Sequence, residues 1–249
     1  MKTVAVIPAR MGSSRFPGKP LAELHGRTML EHVYRRTALS PALSDCIIAT
    51  CDDEIRIAAE AFGAPVIMTS DKHERASDRI AEAAQHVAAD IYVLVQGDEP
   101  MTYPQMIDDA VLPFTTEPGL QCVNLTKQIT SVEEFENPGT IKVVTDLNNN
   151  ALYMSREPIP NRPQGSFDQI AAYKQVCIIP FRHDALIQYS KLAPTPLEIS
   201  ESIDMMRFIQ NGISVRMVDT AFETHAVDTP EDLAHVSALM ADDPLLEKY

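Results

Sequence analysis

Basic residues are in short supply in this 249-residue chain: 21 lysines and arginines stand against 35 aspartates and glutamates, a formal net charge of −14. A general nucleic-acid surface needs a cationic stripe to replace counterions, and the shortage argues against one. It does not bar a polyanion from a single cleft, where a few local cations and a metal reverse the field. Cysteine is scarce too. Cys46, Cys51, Cys122 and Cys177 include no C-x-x-C pair, which in a chain of this length argues against a disulfide framework and leaves buried, reduced thiols as the reading. No stretch approaches the roughly 20 apolar residues of a membrane span. The apolar run near the N-terminus is too short for a signal peptide and is followed by Arg10, Arg15 and Lys19, so it reads as a first strand and the expected compartment is the cytoplasm. The seven histidines (His25, His32, His73, His86, His183, His225 and His235) show no H-x-x-x-H or other ligand spacing and read as surface or packing residues. A G-x-S-x-G elbow, internal repeats and low-complexity tracts are also absent.

What is present is a regular alternation. Residues 4–7 form a short apolar strand, followed by a polar loop over 8–20 punctuated by glycine and proline. Met29, Leu30, Val33 and Tyr34 fall near helical spacing and predict a helix over 28–39. Residues 45–50 read as a strand, and Asp52 or Asp53 caps a helix that runs to about Phe62 and stops at Gly63. A third strand over 65–68, an alanine-rich helix over 77–89 and an all-apolar strand over 91–95 follow. Four such alternations predict an α/β fold with a mostly parallel sheet and helices on both faces. Ligands in these sheets bind beyond the carboxyl ends of the strands, so the loop after Ile7 and the Gln96-Gly97-Asp98 turn should face one crevice.

The second half is less regular. Strands are expected over 121–126, 142–145, 173–181 and 213–218, with Pro158, Pro160 and Pro163 extending 157–165. A helix over 198–211 should stop at Gly212. Thr229-Pro230-Glu231-Asp232 opens a last helix, with Thr229 as N-cap and Asp232 at the capping-box position. Without a linker, residues 1–249 read as one domain with a smaller inserted lobe around 151–181.

The strongest chemical signal is the segment Pro8-Ala9-Arg10-Met11-Gly12-Ser13-Ser14-Arg15-Phe16-Pro17-Gly18-Lys19-Pro20. Three cations in one loop, with glycines and serines that let a backbone approach phosphate closely, suit a polyphosphate. A solvated basic loop is the plainer alternative. It is not a Walker loop, because Gly12 and Gly18 are one residue too far apart and Pro20 replaces the metal-binding hydroxyl. It is not G-x-G-x-x-G either.

This loop resembles the N-terminal signature of the CMP-Kdo synthetases, the 3-deoxy-manno-octulosonate cytidylyltransferase family. Four further segments agree with that family, in its order and over nearly the whole chain: Val95-Gln96-Gly97-Asp98-Glu99-Pro100, Ile141-Lys142-Val143-Val144, Ala151-Leu152-Tyr153-Met154-Ser155-Arg156, and Val227-Asp228-Thr229-Pro230-Glu231-Asp232-Leu233. The set is specific; each segment alone is weak. The resemblance implies a Rossmann-like sheet of the nucleotide-diphospho-sugar transferase type, CMP transfer from CTP to a small acidic acceptor, a homodimer with an interface around 151–181, and a place in lipopolysaccharide biosynthesis.

It also implies residue roles. Asp98 and Asp228 would hold Mg2+, an ion that prefers one or two carboxylates with phosphate and water oxygens; Asp228 equally suits a plain turn into the last helix. Ala9, Arg10, Arg15, Lys19, Ser77, Arg79 and Gln96 would bind the nucleotide, with Arg10, Lys19 and Asp98 as the catalytic set. Where the family usually reads Gly-Thr-Glu-Arg, this chain has Ala76-Ser77-Asp78-Arg79, and without the resemblance Ser77 and Asp78 are ordinary helix-start residues. Gln96, Arg156, Gln175 and Asp204 would face the acceptor.

There the pattern departs. Gln175 stands where the family has a histidine, Ile179 where it has a tyrosine, and Asp204-Met205 where it has a Glu-Gln pair. Sugar-reading polar groups are thus exchanged for apolar ones, which weakens discrimination for a polyol. The acceptor readings left open are Kdo, an amino-substituted Kdo, another ulosonic acid, or a phosphonic acid such as phosphonoformate. A UTP- or GTP-dependent sugar-phosphate enzyme and a non-catalytic nucleotide-binding protein are the remaining rivals.

Overall fold

A computed structural model of the chain describes residues 1–12, 15–162 and 167–249. Ser13 and Ser14 of the cationic loop, and Pro163 and Gly165 of the extended segment, lie outside the described residues. The chain divides into two compact units, Met1–Asp108 with Thr224–Tyr249, and Asp109–Glu223. The segment 151–181 falls inside the second.

The first unit carries strand β1 (Thr3–Ala9), the short hairpin β2 (Glu23–Leu24) and β3 (Arg27–Thr28), helix α1 (Met29–Ala38), β4 (Asp45–Thr50), α2 (Asp53–Ala61), β5 (Val66–Met68), α3 (Ala76–Ala83) and β6 (Ile91–Val95). Strands β6, β1, β4 and β5 pair side by side, all parallel. Every residue of β1 and β6 is buried. Successive strand side chains point to opposite faces, so both faces of the sheet are covered, as continuous apolar runs predict. Helices α1, α2 and α3 pack against it. Thr28 caps α1 by accepting from the Glu31 N–H, and Gly63 closes the turn after α2 at φ 84°.

Helix α4 (Pro104–Val111) carries the chain across the division into the second unit. That unit holds α5 (Pro113–Thr116), β7 (Val123–Gln128), α6 (Val132–Glu136), β8 (Lys142–Thr145), β9 (Ala151–Ser155), β10 (Tyr173–Val176), β11 (Ile178–Arg182), α7 (His183–Lys191), α8 (Pro196–Glu201), α9 (Met206–Gln210) and β12 (Arg216–Asp219). Its mixed sheet runs β12-β7-β10-β8-β9, antiparallel except for the parallel β12–β7 pair. The chain then returns to the first unit, ending in α10 (Pro230–Met240), where Thr229 and Asp232 form the expected capping box.

Three expected elements are shorter or split. The helix expected over 77–89 ends at Ala83, because the buried Tyr92 hydroxyl accepts from the Ala89 N–H and donates to the Val87 carbonyl, holding that segment as turns. The strand expected over 173–181 breaks at Cys177, and the helix expected over 198–211 breaks at Ser202, which sits left-handed at φ 56°. Of the four cysteines, Cys46 and Cys122 are buried as expected, whereas Cys51 and Cys177 are only half-buried.

Candidate active site

The ends of β1 and β6 set the frame. Gly97 follows β6, and a Cβ added there would meet the Pro8 carbonyl oxygen at 3.1 Å, so the turn after β6 lies directly against the end of β1. Beyond Ala9, the last and buried residue of β1, Arg10 is exposed. Gly18, left-handed at φ 72°, turns the chain into one 3-10 turn, Lys19–Leu21. That turn aims the Lys19 side chain inward.

Lys19 Nζ donates to Asp98 Oδ2 at 2.8 Å, to the Val227 carbonyl at 2.8 Å and to Asp228 Oδ1 at 3.2 Å. Only 13% of the lysine side chain is exposed, against 28% of Asp98 and 36% of Asp228. Burial pulls its pKa down, but the charges and hydrogen bonds of Asp98 and then Asp228 outweigh that and hold the ammonium above its ordinary value. Arg15 adds a second cation on Asp228 Oδ1 at 3.0 Å from an exposed position. The Val227 N–H donates to the Asp98 carbonyl at 2.9 Å, tying the lead into α10 to the turn after β6. Behind Asp228, Asp232 Oδ2 accepts from the backbone N–H groups of Asp228 and Thr229.

Two carboxylates distant in sequence therefore converge on one cationic atom. That donor set fits a hard divalent ion, which takes one or two carboxylates and fills its remaining positions with phosphate and water oxygens. Among the described residues no cluster of three or more His, Cys, Asp or Glu side chains that could hold a metal ion is found.

The other expected nucleotide residues of the first unit lie nearby in sequence or carry their own bonds. Gln96 is half-buried between β6 and Gly97. Ser77 and Arg79 are buried in the first turn of α3, and Arg79 Nη1 donates to Thr69 Oγ1 at 2.5 Å and to the Ser70 carbonyl at 3.3 Å, fixing the segment after β5.

Arg156, Gln175 and Asp204 all belong to the second unit. Arg156 spreads its guanidinium over backbone carbonyls: Nε to Glu201 at 2.8 Å, Nη1 to Pro138 at 3.0 Å and Nη2 to Ser202 at 3.4 Å. Gln175 Nε2 donates to Asn124 Oδ1 at 2.5 Å, and Asn124, fully buried, donates onward to the Val176 carbonyl. The Asp204 carbonyl accepts from the Tyr189 hydroxyl. Arg156 is thus drawn to the α8–α9 loop, in which Asp204 lies, while Gln175 belongs to a separate amide network.

Sequence reading missed Glu201. Its carboxylate accepts from the Tyr153 hydroxyl at 2.9 Å, the Ser155 hydroxyl at 3.0 Å and the Arg156 N–H at 2.9 Å. Burial alone would raise its pKa; those bonds and the Arg156 charge outweigh burial and lower it. Lys142, quoted within a family-matching segment but given no role there, is fully buried with its ammonium on the carbonyls of Asn137, Thr140 and Arg156. Lys142 had a signal, a lysine inside an apolar strand; Glu201, in an expected helix, had none.

A parallel sheet whose strand ends carry a cationic loop and two convergent carboxylates suits an enzyme that handles a nucleoside triphosphate, and the comparisons place the chain among the nucleotidyltransferases. The profile of the cytidylyltransferase family matches residues 4–243, and the chain belongs to that family. The 3-deoxy-manno-octulosonate cytidylyltransferase of Geobacter metallireducens is 44% identical over 245 residues, covering 95% of this chain and 96% of that protein. The enzyme of the same name from Solibacter usitatus is 45% identical over 238 residues, covering 96% and 94%. A solved structure of CMP:2-keto-3-deoxy-manno-octonic acid synthetase complexed with CTP superposes with a TM-score of 0.90 at 40% identity, covering 97% of this chain and 99% of that one. The fold is that of the nucleotide-diphospho-sugar transferases.

Proposed function

We propose that this enzyme transfers CMP from CTP to a 3-deoxy-ulosonic acid, Kdo or a close analogue, with release of pyrophosphate. The observation that carries the reading is the convergence of Asp98 and Asp228 on Lys19 at the ends of β1 and β6. Relatives at 40–45% identity over nearly the whole chain support it.

The acceptor hydroxyl oxygen attacks the α-phosphorus and gives up its proton to solvent, the bond from that phosphorus to the oxygen bridging it to the β-phosphate breaks, and pyrophosphate departs. Two anions must meet, so the barrier is chiefly electrostatic. Arg10, Arg15 and Lys19 neutralise the triphosphate and the leaving group. Asp98 and Asp228 hold Mg2+, which when bound supplies Lewis-acid polarisation of phosphate oxygens. Ala9, Ser77, Arg79 and Gln96 position the nucleotide, with Gln96 also serving the acceptor. Arg156, Gln175 and Asp204 are assigned to acceptor recognition. For Arg156 that means giving up at least one of its carbonyl bonds or acting through them.

A second reading keeps the chemistry and changes the acid. Met205 and Ile179, which stand where the family's polar sugar-reading residues belong, are buried in the second unit. The exchange of polar for apolar residues at these positions is the ground for a different acceptor, such as an amino-substituted Kdo, another ulosonic acid or phosphonoformate. Pyrophosphate release with Mg2+, measured for four nucleoside triphosphates against a panel of these acids, decides. Turnover with CTP and Kdo supports the first reading, CTP with another acid the second, and no CTP turnover refutes both. Cytoplasmic location and a homodimer through 151–181 complete the proposal, and light scattering of the purified enzyme tests the dimer. No helix among the described residues is long and apolar enough to cross a membrane.

A further inference from the structure

Asp52 stands at the N-cap of α2 with the extended backbone that position requires, φ −105° and ψ 124°, yet its side chain makes no capping bond. An aspartate there ordinarily accepts from the N–H groups of its own helix and stabilises it. Here Oδ2 instead accepts from the Met11 N–H at 2.8 Å, with the Cys51 thiol also donating at 3.7 Å. The Asp52 N–H donates to Thr50 Oγ1 at 3.1 Å. Thr50 is the buried last residue of β4, and it pairs in register with Ala9, the last residue of β1. The carboxylate is therefore anchored to one strand end and reaches across to the first residues of the loop that leaves the neighbouring strand. A side chain that gives up its local bond for a bond 41 residues away in sequence breaks a local rule of the kind broken at functional sites.

We infer that Asp52 is a positioning residue for the nucleotide: it fixes the exit of the cationic loop from β1, and with it the place of Arg10 beside Met11. The inference rests on the CTP reading above. What the loop needs from residue 52 is a hydrogen-bond acceptor of aspartate length. Its negative charge, beside a loop built for an anion, contributes nothing to phosphate binding. The role and the charge can thus be separated by substitution.

Three full-length variants test this. Asp52→Ala removes the acceptor and raises KM for CTP about tenfold, the scale of one lost charge-assisted hydrogen bond, while kcat stays within about threefold. Asp52→Asn keeps an acceptor oxygen at the same reach and restores KM to within about threefold of the parent. Asp52→Ser places a capping hydroxyl on α2 but is too short for the loop, so it keeps the melting temperature and still shows the raised KM. A purely structural role predicts the opposite for serine, with KM restored along with stability, and that result overturns the inference. So does an unchanged KM in Asp52→Ala. Amide hydrogen exchange of the peptide containing Met11 needs no turnover: faster exchange in the alanine and serine variants, with parental exchange in the asparagine variant, supports the anchor, and identical exchange in all four proteins overturns it. If the parent itself releases no pyrophosphate from CTP, the functional reading fails, whereas the exchange data still decide whether Asp52 holds the loop.

Discussion

Replacing Lys19 with alanine removes the cation that joins Asp98 to Asp228, and the structure sets the scale of the loss. Three hydrogen bonds disappear, two of them to carboxylates. Each charge-assisted bond contributes about 1.5–3 kcal/mol net when buried, and the exposure of both acids lowers that. The two carboxylates are left facing each other, and unit charges about 5 Å apart repel by about 3 kcal/mol at an effective dielectric of 20. Arg15, 62% exposed, still pairs with Asp228 and offsets little. A net destabilisation of about 3 kcal/mol follows, which for a chain of this size lowers the melting temperature by about 6–12 °C. The assay is calorimetry in chelator, repeated with Mg2+. Two unpaired acids take up a divalent ion where the ammonium stood, and an ion at 100 times its Kd returns about 2.7 kcal/mol. The variant should therefore recover most of its stability in Mg2+, and more than the parent gains. An unchanged melting temperature would refute the clamp, and a loss that Mg2+ does not repair would refute the assignment of the two acids to a metal.

Asp98→Asn should leave the circular dichroism spectrum intact and lower the rate of CMP transfer by at least about 100-fold; near-parental turnover would remove Asp98 from the site. Lys19→Ala should also raise KM for CTP more than KM for the acceptor, and steady-state kinetics showing the reverse would count against the loop assignment. His32 is buried, with Nε2 donating to the Leu24 carbonyl and Nδ1 accepting from the Tyr249 hydroxyl, and burial first, then Arg27 and Arg36, hold its pKa below 6.5 despite the Leu24 bond. The folded state then binds fewer protons than the unfolded one in the window just under 6.5, so stability rises with pH there and levels off above. Melting temperatures over that range should lose part of this slope in His32→Asn. Glu201→Ala leaves three donors without their acceptor and should cost about 2–3 kcal/mol in urea unfolding. Because the Glu201 pKa is lowered, its contribution is present above 4.5 and is lost as pH falls through the folded value.

Much of the first unit was legible before any coordinates. Strands β1 and β6 are buried on both faces, and double burial writes itself as an unbroken apolar run. The capping box at Thr229 and the left-handed glycines at 63 and 212 are equally local, since each depends on residues within one helical turn. Family resemblance then carried the site residues. The second unit was harder. Nothing in the order of residues 198–211 marks the break at Ser202, because helical spacing continues through it while the Glu201 carboxylate bonds to β9 some 46 residues away.

By itself the sequence determined the alternation of elements, the cation-rich loop and the family, because periodicity, caps and turn residues act between neighbours in the chain. Only the tertiary structure decided that Lys19 pairs with acids 79 and 209 residues away, and that Asp52 reaches for Met11 rather than for its own helix. The partner of a charged side chain is set by which strand ends the topology brings side by side, and local sequence carries no record of that.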